Sequence, residues 1–551
     1  MNRSHTWWKE GVVYQIYPRS FKDTTGNGLG DIDGIIEKLD YIKSLGVNMI
    51  WICPIYASPN DDNGYDISDY RKISEDFGGN DAFDRLLKAM HARDLRLIMD
   101  LVVNHSSDEH HWFEQAKQSK DNPYHDYYIW KEGTPTAIPN NWQSVFNGSV
   151  WEWNTSTEEY YLHYYTKKQP DLNWENPKVR KEVYAIIDFW LAKGVDGFRM
   201  DVISLISKRL AFEDVPQSMS FIDVMEKVYA NGPRVHEYLK EMNREVLSKY
   251  DVVTVGEGPG VNLEQGPRYV SAKEKELNMV FHFDHLTIDF GPEGKYDPVP
   301  VDFLRFKEIF SQWDQALAED GWNSIFLGNH DFSRIVSRFG NDGQYHNVSA
   351  KLLATLLMSL RGTPYVYQGD EIGMTNVAHP SIDLYDDVET RNAWKAAKAA
   401  GKNMDQFLKA VHWQSRDNAR TPMQWDATKQ AGFTEGKPWI PVNKNYTQFN
   451  VAAAENDPNS ILHYYRKMIA YRKANSSLVY GNFKDLLPQH PYLFVYKRWD
   501  DKGTYLAVHN FRDENTNWEQ KESGYRMEIG NYAAPSPQFL LPWESRIYRL
   551  V

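Results

Sequence analysis

Cysteine is nearly absent from this chain: among 551 residues there is one, Cys53. A lone thiol excludes an intramolecular disulfide and any zinc site built on two or more thiolates. Cys53 lies in the apolar run NMIWICPIY, where a small buried hydrophobe is the expected role. Long hydrophobic runs are missing too. No stretch approaches the roughly 18 apolar residues that span a bilayer. The N-terminal MNRSHTWWKEGVVYQIYP runs into a strand pattern without an apolar signal core, so we expect a soluble cytoplasmic protein with no membrane partner. Positive charge is also in deficit, with 62 Lys and Arg against 75 Asp and Glu, a net charge of -13. Basic clusters are short and scattered, which argues against a nucleic-acid partner. The excess lies in amphipathic rings: 19 Trp and 34 Tyr against 25 Phe. Such rings suit stacking on a polar ligand with apolar faces, such as a sugar.

Short apolar runs recur along most of the chain, at Val12–Pro18, Asn48–Tyr56, Arg96–Val103, Val195–Val202, Asp251–Glu257, Asn278–Phe283, Trp322–Leu327 and Thr363–Gln368. They are rich in Val, Ile, Tyr and Phe and often apolar throughout, as parallel strands covered on both faces must be. Between them lie amphipathic helical patterns such as GDIDGIIEKLDYIKSLG and NDAFDRLLKAMHARD. Eight β-then-α units predict an α/β fold, a (β/α)8 TIM barrel with its active site at the C-terminal strand ends. The rhythm breaks twice. A Trp- and Tyr-rich stretch, 106–173, reads as an inserted subdomain after the third strand, walling one side of the barrel mouth. A second insertion, 373–448, follows the eighth strand. Past about residue 478 strands alternate without helices. The expected units are therefore a barrel over 1–105 and 174–478, the subdomain 106–173, and a C-terminal all-β domain over 479–551.

Polar residues gather at the strand ends. Asn104 and His105 end the third strand, Arg199 and Asp201 the fourth, Glu257 the fifth, and Asn329, His330 and Asp331 the seventh. Each is a costly place for a polar group unless it is paired or working. On one barrel face they make a functional mouth. Three carboxylates with two histidines, and no H-E-x-x-H spacing, point to proton and glycosyl chemistry rather than a transition-metal site. Glycoside cleavage needs an ionised carboxylate as nucleophile and a protonated one as acid. In VDGFRMDV, strand alternation turns Arg199 and Asp201 to one face and Phe198, Met200 and Val202 to the other. Arg199 marks Asp201 as the ionised member. Glu257, among other carboxylates and partly desolvated, is expected to be the acid. Asp331 would grip sugar hydroxyls and favour a cationic transition state.

The segments DLVVNH, GFRMDV, VGEG and GNHD, in this order, resemble the four signature regions of the alpha-amylase family of glycoside hydrolases. YQIYPRSF and QPDLN match further signatures. DDNGYDISDY, KKQPDLNWENP, GTPYVYQGDEIGMTN and RDNARTPMQW are similar to its oligo-1,6-glucosidase and alpha-glucosidase subgroup. The resemblance implies Asp201 as nucleophile, Glu257 as acid/base and Asp331 as stabiliser, with retention of anomeric configuration. It places Asp62, Tyr65, His105, Arg199, His330 and Arg416 around the terminal glucose, with Phe146 and Gln169 lining the pocket. In these relatives a valine after the nucleophile goes with α-1,6 bonds, so Val202 implies isomaltose- or isomaltulose-type substrates, and the subdomain closing one side implies a blind pocket, hence exo-action on short substrates.

The chain departs from that subgroup at Gly258, at Leu327 and Gly328 before NHD, and at Phe332 and Ser333 after it. We expect these positions to surround the leaving sugar, which keeps sucrose- or trehalulose-acting hydrolases, sucrose isomerases and trehalose-6-phosphate hydrolases as alternatives. Isomerising relatives carry a charged Arg/Asp motif where this chain has TIDFGPEG, which favours hydrolysis. A reading from another class is an inactive barrel serving as a partner subunit, which the retained carboxylates oppose. No cofactor is required by the chemistry. The loop DTTGNGLGD resembles the subgroup's calcium loop, with Asp23, Asn27, the Leu29 carbonyl and Asp31 as candidate ligands for calcium or magnesium. It has fewer anionic oxygens than that loop.

Overall fold

A computed structural model describes residues 6–518 and 523–551. Eight parallel strands form one sheet: β1 (Val13–Ile16), β2 (Met49–Ile52), β3 (Arg96–Leu101), β4 (Gly197–Met200), β5 (Val253–Gly258), β6 (Met279–His282), β7 (Ser324–Ile325) and β8 (Thr363–Tyr367). Each falls inside or beside a segment read from the sequence. Spatial order runs β6-β5-β4-β3-β2-β1-β8-β7, so the sheet curls until β7 meets β6. Ser324 Oγ donates to the Val280 carbonyl at 2.8 Å across that seam. The barrel is thus nearly closed, and β7 is much shorter than the expected Trp322–Leu327 because its ladder pairs only with β8.

Alternation sorts each strand into two columns. Tyr14, Ile50, Leu97, Phe198 and Val280 pack outward in the core shared with the helices. Val13, Met49, Trp51, Ile98, Val253, Val255, Met279, Phe281 and Tyr365 fill the interior. Polar residues sit above this plug. Asp100 pairs in register with Arg199, and Arg199 with Val255, two residues before Glu257, so Asp100, Arg199 and Glu257 point into the same interior. The strand β4 ends at Met200. Val202, read as a strand residue, instead has φ +34°, ψ +41°, a left-handed conformation strained for a β-branched side chain. The turn swings Asp201 and Val202 to the barrel mouth.

Helices follow each strand, among them Gly79–His91, Pro177–Lys193, Phe303–Ala316, His346–Ser359 and Ile461–Ala474. Between β3 and Pro177 lies an antiparallel sheet of Trp130–Glu132, Trp151–Asn154 and Glu159–Leu162, within the expected subdomain. Beyond the barrel, β9 (Asn482–Asp485), β10 (Leu493–Trp499), β11 (Thr504–Asn510), β12 (Tyr525–Gly530) and β13 (Ser545–Leu550) make an antiparallel sheet, order β9-β10-β11-β13-β12. Among the described residues no helix is long and apolar enough to cross a membrane.

Candidate active site

The C-terminal strand ends open into a cavity of about 750 Å³. Its floor holds Asp201, Glu257 and Asp331, and Phe146 and Tyr165, from the stretch between β3 and the helix Pro177–Lys193, form part of its wall.

One guanidinium organises the floor. Arg199, 1% exposed, sends Nη1 to Asp201 Oδ1 at 2.6 Å and to Asp100 Oδ1 at 2.9 Å, and Nη2 to Glu257 Oε2 at 2.8 Å. Val202 N–H donates to the same Glu257 oxygen at 3.0 Å. Burial pushes the carboxyls of Asp201 and Glu257 up against the pull of Arg199, and repulsion among the neighbouring carboxylates adds to it. This corrects the expectation that Arg199 singles out Asp201 as the ionised member. The cation is shared among three buried acids, Asp100, Asp201 and Glu257.

Asp331 behaves in the opposite way. Burial would raise its carboxyl, but His330, Arg416 and Arg420 hold it well below the usual range. Arg416 Nη1 and Arg420 Nη2 reach Asp331 Oδ1 at 3.3 and 2.9 Å. Burial depresses the His330 imidazole to about 3, so at neutral pH the two arginines supply the holding charge.

The remaining site residues converge on this floor. Asp62 Oδ1 meets Arg416 Nη2 at 3.1 Å and Oδ2 accepts from Gln169 Nε2 at 3.3 Å. Burial raises the Asp62 carboxyl to about 6 against the opposing arginines. His105 Nε2 lies 3.0 Å from the Tyr65 carbonyl, and burial lowers its imidazole to about 4. The Tyr65 ring stacks on His330 at 5.4 Å, and Phe146 lies beneath the Arg416 guanidinium at 4.8 Å. Val202 lines the cavity above the pair.

Several participants escaped the sequence reading. Asp100, which takes Arg199, Tyr65 Oη and Trp51 Nε1, stands inside MDLVVNH but lies deeper than the polar strand end. Arg420 sits four residues past Arg416 in the same RDNAR stretch. Asp387, a 2.6 Å partner of Arg416, comes from a loop with no motif signal. The hairpin of Phe290–Gly291 and Gly294–Pro298 places Phe290, Lys295 and Tyr296 on the cavity wall. Of the five departures expected around the leaving sugar, only Phe332 lines the cavity. A Cβ on Gly258 would meet Val280 and Val261, and one on Gly328 would meet Ile335, so these glycines serve packing.

The 23–31 loop closes on itself. Asp23 Oδ1 accepts from the N–H groups of Thr25 and Gly26, and Asp23 Oδ2 from Gly28 N–H and Thr434 Oγ1. Asp31 accepts from Thr24 and Gly34, and Asn27 Oδ1 from Leu29 N–H. Any cation there has to share these oxygens with N–H donors. Among the described residues no cluster of three or more His, Cys, Asp or Glu is placed to hold a metal ion.

The family model for the alpha-amylase catalytic domain matches residues 15–481, from β1 to the edge of the C-terminal sheet. The chain is 52% identical to an oligo-1,6-glucosidase of Parageobacillus thermoglucosidasius over 555 residues, covering 99% of both. It is 46% identical to a trehalose-6-phosphate hydrolase of Bacillus subtilis (strain 168), covering 99% of this chain and 98% of the relative. The crystal structure of isomaltulose synthase from Klebsiella sp. LX3 superposes with a TM-score of 0.96 at 44% identity, covering 100% of each chain. A parallel barrel, carboxylates at its strand ends and a family match spanning the whole barrel agree: the chain belongs to the alpha-amylase family of glycoside hydrolases.

Proposed function

We propose that the protein is an exo-acting, retaining α-glucoside hydrolase that releases terminal glucose and prefers α-1,6 bonds of short substrates. The observation that carries this reading is the division of the floor. Asp201 and Glu257 share Arg199 and are pushed up, while Asp331 is held ionised by two arginines. A carboxyl raised by burial suits Glu257 to a general acid, and the Arg199 contact at 2.6 Å suits Asp201 to a carboxylate nucleophile.

The atoms fit those roles. Glu257 Oε2 already takes Arg199 and Val202 N–H, so Oε1 is the oxygen left to carry the proton to the glycosidic oxygen. Asp201 Oδ1 takes Arg199, leaving Oδ2 to bond the anomeric carbon. The glycosidic bond breaks as that ester forms. Glu257, now a carboxylate, takes a proton from water as the water attacks the same carbon and frees Asp201. Asp331 stabilises the positive charge that develops on the sugar.

The surroundings support an uncharged leaving group. The cavity cations Lys295 and Lys402 pair with Glu389 and Glu293, each at 2.6 Å, and Arg416 is spent on Asp62, Asp331 and Asp387. A sugar phosphate would have to compete with those carboxylates. Val202 at the mouth supports the α-1,6 preference. A lone buried thiol is in keeping with a cytoplasmic enzyme, and a calcium ion in the 23–31 loop belongs to the same proposal as a structural element only.

The test is glucose release from isomaltose, isomaltulose, maltose, sucrose and trehalose 6-phosphate. We expect kcat/KM highest on the two α-1,6 substrates and at least about tenfold lower on trehalose 6-phosphate, a difference of about 1.4 kcal/mol. Preference for the phosphorylated sugar would replace this reading, and no glucose from any of the five would end it.

A further inference from the structure

Gln15, the fully buried glutamine of β1, lies beneath the site with no part in the chemistry described above. Its Nε2 is 2.9 Å from His330 Nδ1 and 3.4 Å from Cys53 Sγ. The His330 ring is clamped between Tyr65, 5.4 Å away, and Tyr17, 5.8 Å away, both stacked on it. Its other nitrogen, Nε2, meets Tyr65 Oη at 2.7 Å and Asp331 Oδ2 at 3.1 Å. Tyr65 Oη in turn lies 3.0 Å from Asp100 Oδ2.

A neutral imidazole carries one proton, and its neighbours decide on which nitrogen. With the proton on Nε2, every contact is a hydrogen bond. Gln15 donates to bare Nδ1, His330 Nε2–H donates toward Tyr65 Oη and Asp331, and Tyr65 donates to Asp100. With the proton on Nδ1, the Gln15 amide must turn its oxygen to the ring. Bare Nε2 then faces a carboxylate oxygen at 3.1 Å. Tyr65, having one proton, can serve Asp100 or Nε2 but not both. The reversed arrangement leaves at least two lone pairs opposed in a buried site, a costly outcome.

We propose that Gln15 is a positioning residue for His330: Asp331 and Tyr65 favour the proton on Nε2, and Gln15 supplies the Nδ1 donor that this tautomer needs, holding Nε2–H toward Asp331 and the bound sugar. The charged groups facing the ring are Asp331, Arg199, Arg416 and Arg420, and none of them supplies a donor to Nδ1. Burial keeps the imidazole neutral, which the role requires. Gln15 lies in YQIYPRSF, far along the chain from His330, and acts through it.

The inference rests on the glucosidase reading for its activity arm, and the experiment separates the two. In the full-length enzyme, Gln15→Met keeps the shape and removes the donor, while Gln15→Glu, once ionised, offers Nδ1 only an acceptor. With p-nitrophenyl α-glucoside we expect Gln15→Met to lower kcat roughly 10- to 100-fold with KM changed less than about threefold, the size of effect seen when groups orienting a functional histidine are lost. Gln15→Glu should draw a proton onto Nδ1 and add an ionisation to the pH profile of kcat that the wild type lacks. Histidine-selective 15N NMR of the wild type should show His330, identified by its loss in His330→Asn, with a bare Nδ1 and a protonated Nε2. That spectrum needs no Gln15 variant to fold and no catalysis. An inactive wild type counts against the function alone. A protonated Nδ1 in the wild type, or Gln15→Met with wild-type kcat, overturns the role of Gln15.

Discussion

Asp201→Asn should lose turnover by roughly 10⁴-fold or more, the scale of removing a nucleophile in other covalent enzymes. The fold should persist. Asp201 is buried with its carboxyl pushed up, so at pH 7 its ionised form is a charge the folded state holds at a cost. An amide of the same shape removes that cost and still accepts from Arg199. We therefore expect a Tm equal to or above that of the wild type, a common result when a strained functional group is neutralised. Steady-state kinetics and a thermal melt check both halves. Turnover within about tenfold of wild type would remove Asp201 from the chemistry.

Arg199→Gln should have the larger effect on stability. Asp100, Asp201 and Glu257 all rest on this guanidinium within 2.9 Å. Taking away one partner of a buried ion pair costs roughly 3–5 kcal/mol, because the charges left behind lose their compensation. The loss depends on pH. These carboxyls already have raised folded-state pKa values, and without the arginine they rise further. A group of that kind contributes its stability below its unfolded pKa and loses it as pH rises through the folded one. The deficit of Arg199→Gln against wild type should therefore be small near pH 4.5 and grow toward pH 8. Chemical denaturation at several pH values measures it. A deficit that shrinks as pH rises would show that the three acids do not depend on Arg199.

Much of this site was legible because a parallel barrel writes its function at one place on every strand. Asn104, Arg199, Glu257 and His330 each end an apolar run, and no core explains four such endings on one face. The shared role of Arg199 was not legible. That role depends on the β3–β4 register, which sets Asp100 opposite Arg199, and registers are not local properties. Arg420 was passed over beside Arg416 because a loop's approach to Asp331 leaves no periodic trace. Val202 was counted with its strand because its residue type suits one, while the turn that exposes it is set by tertiary contacts. Gly258 and Gly328 are expected from the sequence to lie around the leaving sugar, but their missing side chains make space for Val280, Val261 and Ile335. An absent side chain marks a close approach without saying whose.

The central claim is a double displacement in which Asp201 bonds the sugar and Glu257 moves the proton. The configuration of the first-formed glucose tests it directly. Proton NMR of p-nitrophenyl α-glucoside hydrolysis, read before mutarotation, should show α-glucose appearing first, because two inversions at the anomeric carbon restore its configuration. β-Glucose as the first product would mean that water attacks in a single step, and would contradict the assignment of Asp201 as nucleophile.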